Sequence, residues 1–221
     1  MTQAGTVSGP TASAGSDRVT RRKARTRAAL VAAAQSLLAD GRTNVSIQEI
    51  TDTADVGFGS FYNHFSSKEE LFGEAVQATL ESYTAMLGMA RAGIDDPAEA
   101  FAVSFRLTGR LHRQVPEHVR VLLNSGTGVL VREQSLTALA RADMKAAVDA
   151  GRFDVDDPEL ALMLVGGALL GLLQMVESRP ELDDAEVSDR FAERLLRALG
   201  LPSDEARELC RRPLPELPRL G

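Results

Sequence analysis

Tryptophan is absent from this chain, tyrosine occurs twice and cysteine once. The single thiol, Cys210, excludes a disulfide framework and any thiolate cluster for zinc or iron–sulfur. The three histidines, His64, His112 and His118, exclude a many-histidine metal site. His112 and His118 stand six apart, the wrong spacing for an i, i+4 ligand pair on a helix. No Ser/His/Asp set and no paired carboxylates stand out, and the Gly-rich stretches lack the Lys-Ser/Thr of a phosphate-binding loop. No metal, no cofactor and no catalysis are therefore expected. The first residues lack the apolar run of a secretion signal, so with one Cys the reducing cytoplasm is the expected compartment.

What is present is the ordinary mix of a globular protein. Of 221 residues, 44% are hydrophobic and 25% charged, enough to bury a sizeable core. The net charge of −6 looks wrong for a nucleic-acid binder, but its distribution is uneven. Residues 1–70 hold 8 Lys+Arg and 7 Asp+Glu, net +1, whereas residues 71–221 hold 17 and 24, net −7. Arg18, Arg21, Arg22, Lys23, Arg25 and Arg27 crowd ten positions, with Asp17 the one acid beside them. An acidic body with a basic patch at one end is hidden by the whole-chain charge.

Residues 1–19 read as a disordered tail, because Thr, Ser, Ala, Gly and Pro fill 13 of the first 16 positions. Helical periodicity starts near Thr20, with Leu30, Ala33, Ala34, Leu37 and Leu38 on one face, and Asp40-Gly41 ends it. Ser46 is a candidate N-cap with Glu49 at the capping-box spacing. Asp55-Val56-Gly57 then turns into a short helix carrying Phe61 and Phe65. Ser66-Ser67 caps a long helix from Lys68 whose apolar residues fill half its circumference. Asp96-Pro97 and Asp157-Pro158 each place Asp at N-cap and Pro at N1. A helix is expected over 129–150 and a last one from Asp183-Asp184 to Leu199, leaving 202–221 as a proline-containing tail. No alternating strand pattern and no repeat occurs. The fold class is all-α with about nine helices.

Residues 46–65 read helix, four-residue turn, helix within a domain spanning 20–67. In such a unit the first helix braces on the DNA backbone and the second lies in the major groove, which admits one α-helix. Gly57 and Gly59 keep its N-terminus small, where free N–H groups favour phosphate.

The run Ala54-Asp55-Val56-Gly57-Phe58-Gly59-Ser60-Phe61-Tyr62-Asn63-His64-Phe65-Ser66-Ser67-Lys68-Glu69-Glu70-Leu71 resembles the signature of TetR/AcrR-type bacterial transcription regulators. Its core is Gly-x-aromatic-Tyr-x-His-Phe, followed by Ser-Lys-x-x-Leu opening the fourth helix. The resemblance implies that Tyr62, His64 and Lys68 contact phosphates and that Phe58, Ser60 and Asn63 reach base edges, with Ser46 and Gly57 at the helix starts beside them. Asp55 stands where Gly is usual in the turn, and Gly57 stands where Ser or Thr often caps the recognition helix.

The resemblance also implies a ligand-binding and dimerisation domain, here 68–201. Tyr83, Met86, Leu87, Phe101, Phe105 and His112 point inward and are the candidate lining of a cavity between helices. Arg106, Arg110 and Arg113 share one face of the helix after Pro97, read as a solvated arginine face rather than an anion site. Leu160 to Val176 has one polar side chain, Gln174, and a Gly-x-x-x-Gly pair. A transmembrane helix is the rival reading; a helix buried on nearly all sides in a dimer is preferred. The dimer bundle implied by the resemblance would join 157–176 and 184–199, with Gly166, Gly167, Gly171, Phe191 and Leu195 at the interface. The expected partners are operator DNA, a second copy of the chain and an apolar small-molecule effector, with no membrane. The implied function is a repressor released by its ligand. An activator or ligand-independent regulator of the same fold is the alternative, and a helical carrier or enzyme the rival from another class.

Overall fold

The computed structural model describes residues 11–126 and 135–216, with the side chains of residues 11–16, His112 and Arg113 left outside. Nine helices of seven residues or more and two single turns build these residues, and no strand occurs among them. The order is α1 Thr11–Ala39, α2 Ile47–Thr53, α3 Phe58–Phe61, α4 Lys68–Ala90, α5 Pro97–Gly109, α6 Leu111–Gln114, α7 Pro116–Asn124, α8 Ser135–Asp149, α9 Pro158–Ser178, α10 Asp184–Ala198 and α11 Ser203–Arg211.

Helix α1 starts at Thr11, ahead of the periodicity that begins near Thr20, so residues 11–19 continue a helix rather than form part of a tail. Extending an existing helix adds one hydrogen bond per residue without a new nucleus, and this needs no apolar face. Arg18 to Arg25 are all exposed, and Leu30 is the first buried residue among the described side chains. The helix closes as the glycine signal requires: Gly41 takes φ +70°. Its N–H donates to Leu38 O at 2.9 Å and the Arg42 N–H to Leu37 O at 2.8 Å. Asn124 of α7 adds a side-chain cap, donating from Nδ2 to Leu38 O at 2.8 Å.

Helices α1 to α3 and the first turns of α4 share one core of Leu30, Ala34, Leu37, Val45, Ile50, Phe61, Phe65 and Leu71. Helix α4 leaves that core and runs on into the second half of the molecule. Gln35 of α1 clamps it halfway, its Nε2 donating to Thr79 Oγ1 at 2.9 Å.

The second core is built by α5, α8, α9, α10 and α11. Asp96, Asp157 and Asp183 cap their helices through backbone N–H groups of the next turn, as their positions predict. Arg152 fastens the corner. It forms a two-pronged pair with Asp96 at 2.9 and 2.9 Å and reaches Glu205 of α11 at 2.6 Å. The bond from Arg152 holds the Asp96 carboxyl below its usual range despite partial burial.

Three expectations change here. The helix from Pro97 does not run on: Arg110 is a shared cap with φ −90° and ψ −4°, and α6 is a separate turn. The end of α5 is crowded at Gly109. A Cβ there would meet Ser188 Oγ at 2.2 Å and Leu172 Cδ2 at 2.8 Å, so α5, α9 and α10 converge on it. The arginine face is not solvated. Arg106 is 3% exposed, pairs with Asp189 at 2.7 Å and donates to the carbonyls of Leu209 and Arg212 at 3.4 and 3.0 Å. Arg110 joins the same Asp189 at 2.7 Å, and the Arg113 side chain lies outside the described residues. Lastly, residues 203–211 of the expected tail are helical. Ala206, Leu209 and Cys210 are buried against α5 and α10, and burial pushes the Cys210 thiol up to about 11. The part of the expected 129–150 helix before Ser135 lies outside the described residues.

Candidate nucleic-acid interface and interior cavity

The turn between α2 and α3 depends on Asp55, which takes φ +51°, a left-handed conformation that Asp tolerates better than most residues. Val56 N–H then donates to Thr51 O at 3.0 Å, which locks the turn on the end of α2. Ser46 is the N-cap of α2, accepting from Glu49 N–H at 3.2 Å. The Glu49 carboxylate does not close a capping box; it pairs with Arg42. Gly57 precedes α3 with no side-chain cap.

The turn sorts the aromatic residues by burial. Phe61 and Phe65 are 0% and 2% exposed, whereas Phe58 and Tyr62 are 47% and 58% exposed. The outer pair stack edge to face with centroids 5.9 Å apart. Gly57, Gly59 and Asn63 are exposed beside them, and Ser60 and His64 are half-buried. Lys68 sits at the start of α4, where Nζ donates to Val45 O at 3.3 Å and keeps two further donors. Arg27 lies behind this surface, bonded to Glu74 at 2.7 Å and stacked 5.1 Å over the Phe65 ring. Burial first, and then the charges of Lys23 and Arg27, lower the pKa of His64. Lys23 and Arg27 of α1 are thus near enough to His64 for their charges to act on it.

In the second half, a cavity of about 110 Å³ lies between α4, α5, α7, α8 and α9. Of the residues expected to line it, Leu87, Phe101 and Phe105 do so. Tyr83 and Met86 are buried but do not line it. Tyr83 stands one bond behind the wall, its hydroxyl donating to Thr108 Oγ1 at 2.7 Å. The His112 side chain lies outside the described residues. Periodicity missed Asp143 and Arg141 of α8, which carry no pattern of their own. It also missed Ser104 and Thr108, which continue the Phe101/Phe105 stripe of α5 at helical spacing and were legible there.

The proposed dimer residues separate. Gly166 lines the cavity, and Leu195 is 5% exposed within the subunit core, because its face of α10 turns onto α5 and α11. Phe191 is half-buried. Gly167 and Gly171 are open: a Cβ on either meets nothing within 4 Å. They share one face of α9 with Leu160, Met163 and Leu164, which are 68%, 39% and 50% exposed. The helix is thus not buried on nearly all sides within one subunit. By length and composition it is the one candidate membrane span among the described residues, with a mean hydropathy of 1.9.

An exposed helix-turn-helix joined by one long helix to a cavity-bearing bundle defines a ligand-domain type of DNA-binding regulator. Residues 29–75 match the bacterial regulatory proteins of the tetR family, and residues 96–212 match the Tetracyclin repressor-like C-terminal domain. The chain belongs to the TetR family and is a transcription regulator. It is 33% identical to RolR, solved in complex with resorcinol, over 90% of this chain and 100% of that one, with a TM-score of 0.66. A tetR-family regulatory protein from Rhodococcus RHA1 is 20% identical, over 80% of this chain and 98% of its own, with a TM-score of 0.61. The FadR regulator of Bacillus subtilis, in complex with stearoyl-CoA, is 14% identical over 76% and 96%, with a TM-score of 0.63. These last two share the fold. No curated protein sequence matches the chain.

Proposed function

We propose that the protein is a cytoplasmic, homodimeric repressor that leaves its operator when a small, largely apolar molecule enters the cavity. The observation that carries DNA binding is the exposure of Phe58, Tyr62 and Asn63 beside Lys68 at the start of α4. Tyr62, His64 and Lys68 serve the phosphates, with Ser46 and Gly57 at the helix starts. Phe58, Ser60 and Asn63 read base edges. The open face of α9, from Leu160 to Gly171, together with Phe191 of α10, carries the second subunit, so that two α3 elements enter successive major grooves about 34–36 Å apart.

For the effector, size and lining support a single-ring compound. An apolar cavity of ~150 Å³ takes one benzene, so one of about 110 Å³ has no room for more than a single ring. Ser104, Thr108, Thr137, Arg141 and Asp143 add polar groups to an otherwise apolar wall. RolR, a 33% identical relative, is in complex with resorcinol, a ring of this class. Helix α4 touches both sites, contributing Leu87 to the cavity and Lys68 to the DNA-facing surface, which is the physical link that coupling needs.

The test is fluorescence anisotropy on the promoter fragment that the purified protein retains from genomic DNA, titrated with single-ring phenols and with long-chain acyl compounds. Release by the phenols is expected. No retained fragment refutes the repressor reading, and retention unaffected by every compound refutes the effector.

A further inference from the structure

We propose that Asp143 is the hydroxyl-recognising group of the cavity and that Arg91, its ion-pair partner, is the positioning residue that couples its occupation to α4. This rests on the reading that an effector enters this cavity. Asp143 of α8 is 9% exposed and lines the cavity. Its Oδ2 accepts from Arg91 Nη1. Arg91 is the C-cap of α4, its own backbone N–H bonded to Leu87 O at 3.1 Å, and Leu87 is a cavity residue. The same Nη1 also reaches Ser104 Oγ on α5 at 3.3 Å. One guanidinium therefore ties the far end of α4 to both α5 and α8, at the rim of the cavity.

The two ends of α4 answer to different partners. Its first turn holds Lys68 beside the DNA-facing surface; its cap holds Asp143. Arg91 takes Oδ2 of Asp143, and a hydroxyl that enters the cavity and donates to the same oxygen competes with it. A buried carboxylate cannot lose its cation without a replacement donor, since an unpaired buried charge is strongly unfavourable. A ligand that donates a hydrogen bond supplies that replacement, and a hydrocarbon of the same shape does not. The pocket therefore selects phenols or alcohols over hydrocarbons, and selection and release of the α4 cap are one event. By linkage, operator DNA that favours the Arg91–Asp143 pair must weaken phenol binding by the factor by which phenol weakens operator binding.

Titration calorimetry with phenol, resorcinol and toluene, with and without operator DNA, tests both halves on the full chain. Phenol and resorcinol are expected to bind at least tenfold more tightly than toluene, and Asp143→Leu, which removes the acceptor, to level that difference. In the wild type, operator weakens phenol binding; in Arg91→Met, phenol affinity is the same with and without operator, and phenol no longer lowers operator affinity. Arg91→Lys keeps the cation, retains part of the response, and carries the test if Arg91→Met fails to fold. Equal affinity for phenol and toluene overturns the role of Asp143. An unchanged response in both Arg91 variants overturns the coupling and leaves the effector reading intact. Binding of no ring compound at all defeats the effector reading and this proposal with it.

Discussion

The hydroxyl of Tyr83 donates to Thr108 Oγ1 at 2.7 Å, joining α4 to the cavity wall of α5 through a side chain that is 2% exposed. Thr108 in turn donates to Ser104 O at 2.6 Å, so the ring of α4 and the polar stripe of α5 form one short chain of bonds. Burial raises the Tyr83 pKa, so the phenol remains a donor across the physiological range.

Tyr83→Phe removes one buried hydrogen bond and leaves Thr108 its own acceptor, so the loss is about 0.5–1.5 kcal/mol. For a protein of this size that is a fall in Tm of roughly 1–6 °C. Thermal unfolding by circular dichroism measures it. A variant as stable as the wild type would mean that the bond contributes nothing net.

The DNA-facing residues divide by role. With 6–10 phosphate contacts per dimer, operator affinity should fall by about 10³–10⁵ between 50 and 200 mM salt. Tyr62→Phe, His64→Ala and Lys68→Ala should weaken binding to every sequence alike, whereas Ser60→Ala and Asn63→Ala should relax preference at particular base pairs. Gel retardation over a set of operator variants separates the two classes, and uniform loss for all five substitutions contradicts the division.

His64 adds a pH dependence. Its pKa lies below 6.5 in the free protein, from burial and then from Lys23 and Arg27. A DNA phosphate placed beside it offsets those charges and raises the pKa, so the complex takes up a proton that the free protein does not hold. Operator affinity should therefore rise as the pH is lowered toward the free protein's pKa, which lies below 6.5, and this part of the rise should vanish in His64→Asn. For folding alone the sign is opposite: the unfolded chain binds this proton first, so stability from this group is lost as pH falls below 6.5. Anisotropy at fixed ionic strength decides it; identical pH profiles for wild type and His64→Asn reject the phosphate contact.

Gly167→Leu and Gly171→Leu should fold as single subunits, because a Cβ at either position meets nothing within 4 Å. In a dimer closed through that face the same side chains overpack the contact, at about 1–3 kcal/mol. That is up to roughly a hundredfold in dissociation constant. Sedimentation equilibrium is the measurement. A monomeric wild type at micromolar concentration, or unchanged association in both variants, rules out this interface.

Local signals were legible in the sequence wherever a residue acts through its own backbone. Ser46, Asp96, Asp157 and Asp183 cap the helices that their positions announce, and Gly41 ends α1, since these are contacts within one turn of chain. The helix-turn-helix was legible for a related reason: Phe61 and Phe65 against Phe58 and Tyr62 is an inside/outside pattern set by helical period. Tertiary structure alone decided the rest. Whether Arg106 meets water or Asp189 depends on a residue 83 positions away. Whether residues 203–211 trail or pack depends on the groove of α5 and α10 into which Leu209 and Cys210 fit. Asp143 of α8 meets Arg91 of α4 across 52 positions, beside a cavity that five helices enclose. Periodicity tells which face of a helix is apolar, but the energy of a buried ion pair resides in the partner that a distant segment brings, and no local pattern encodes that meeting.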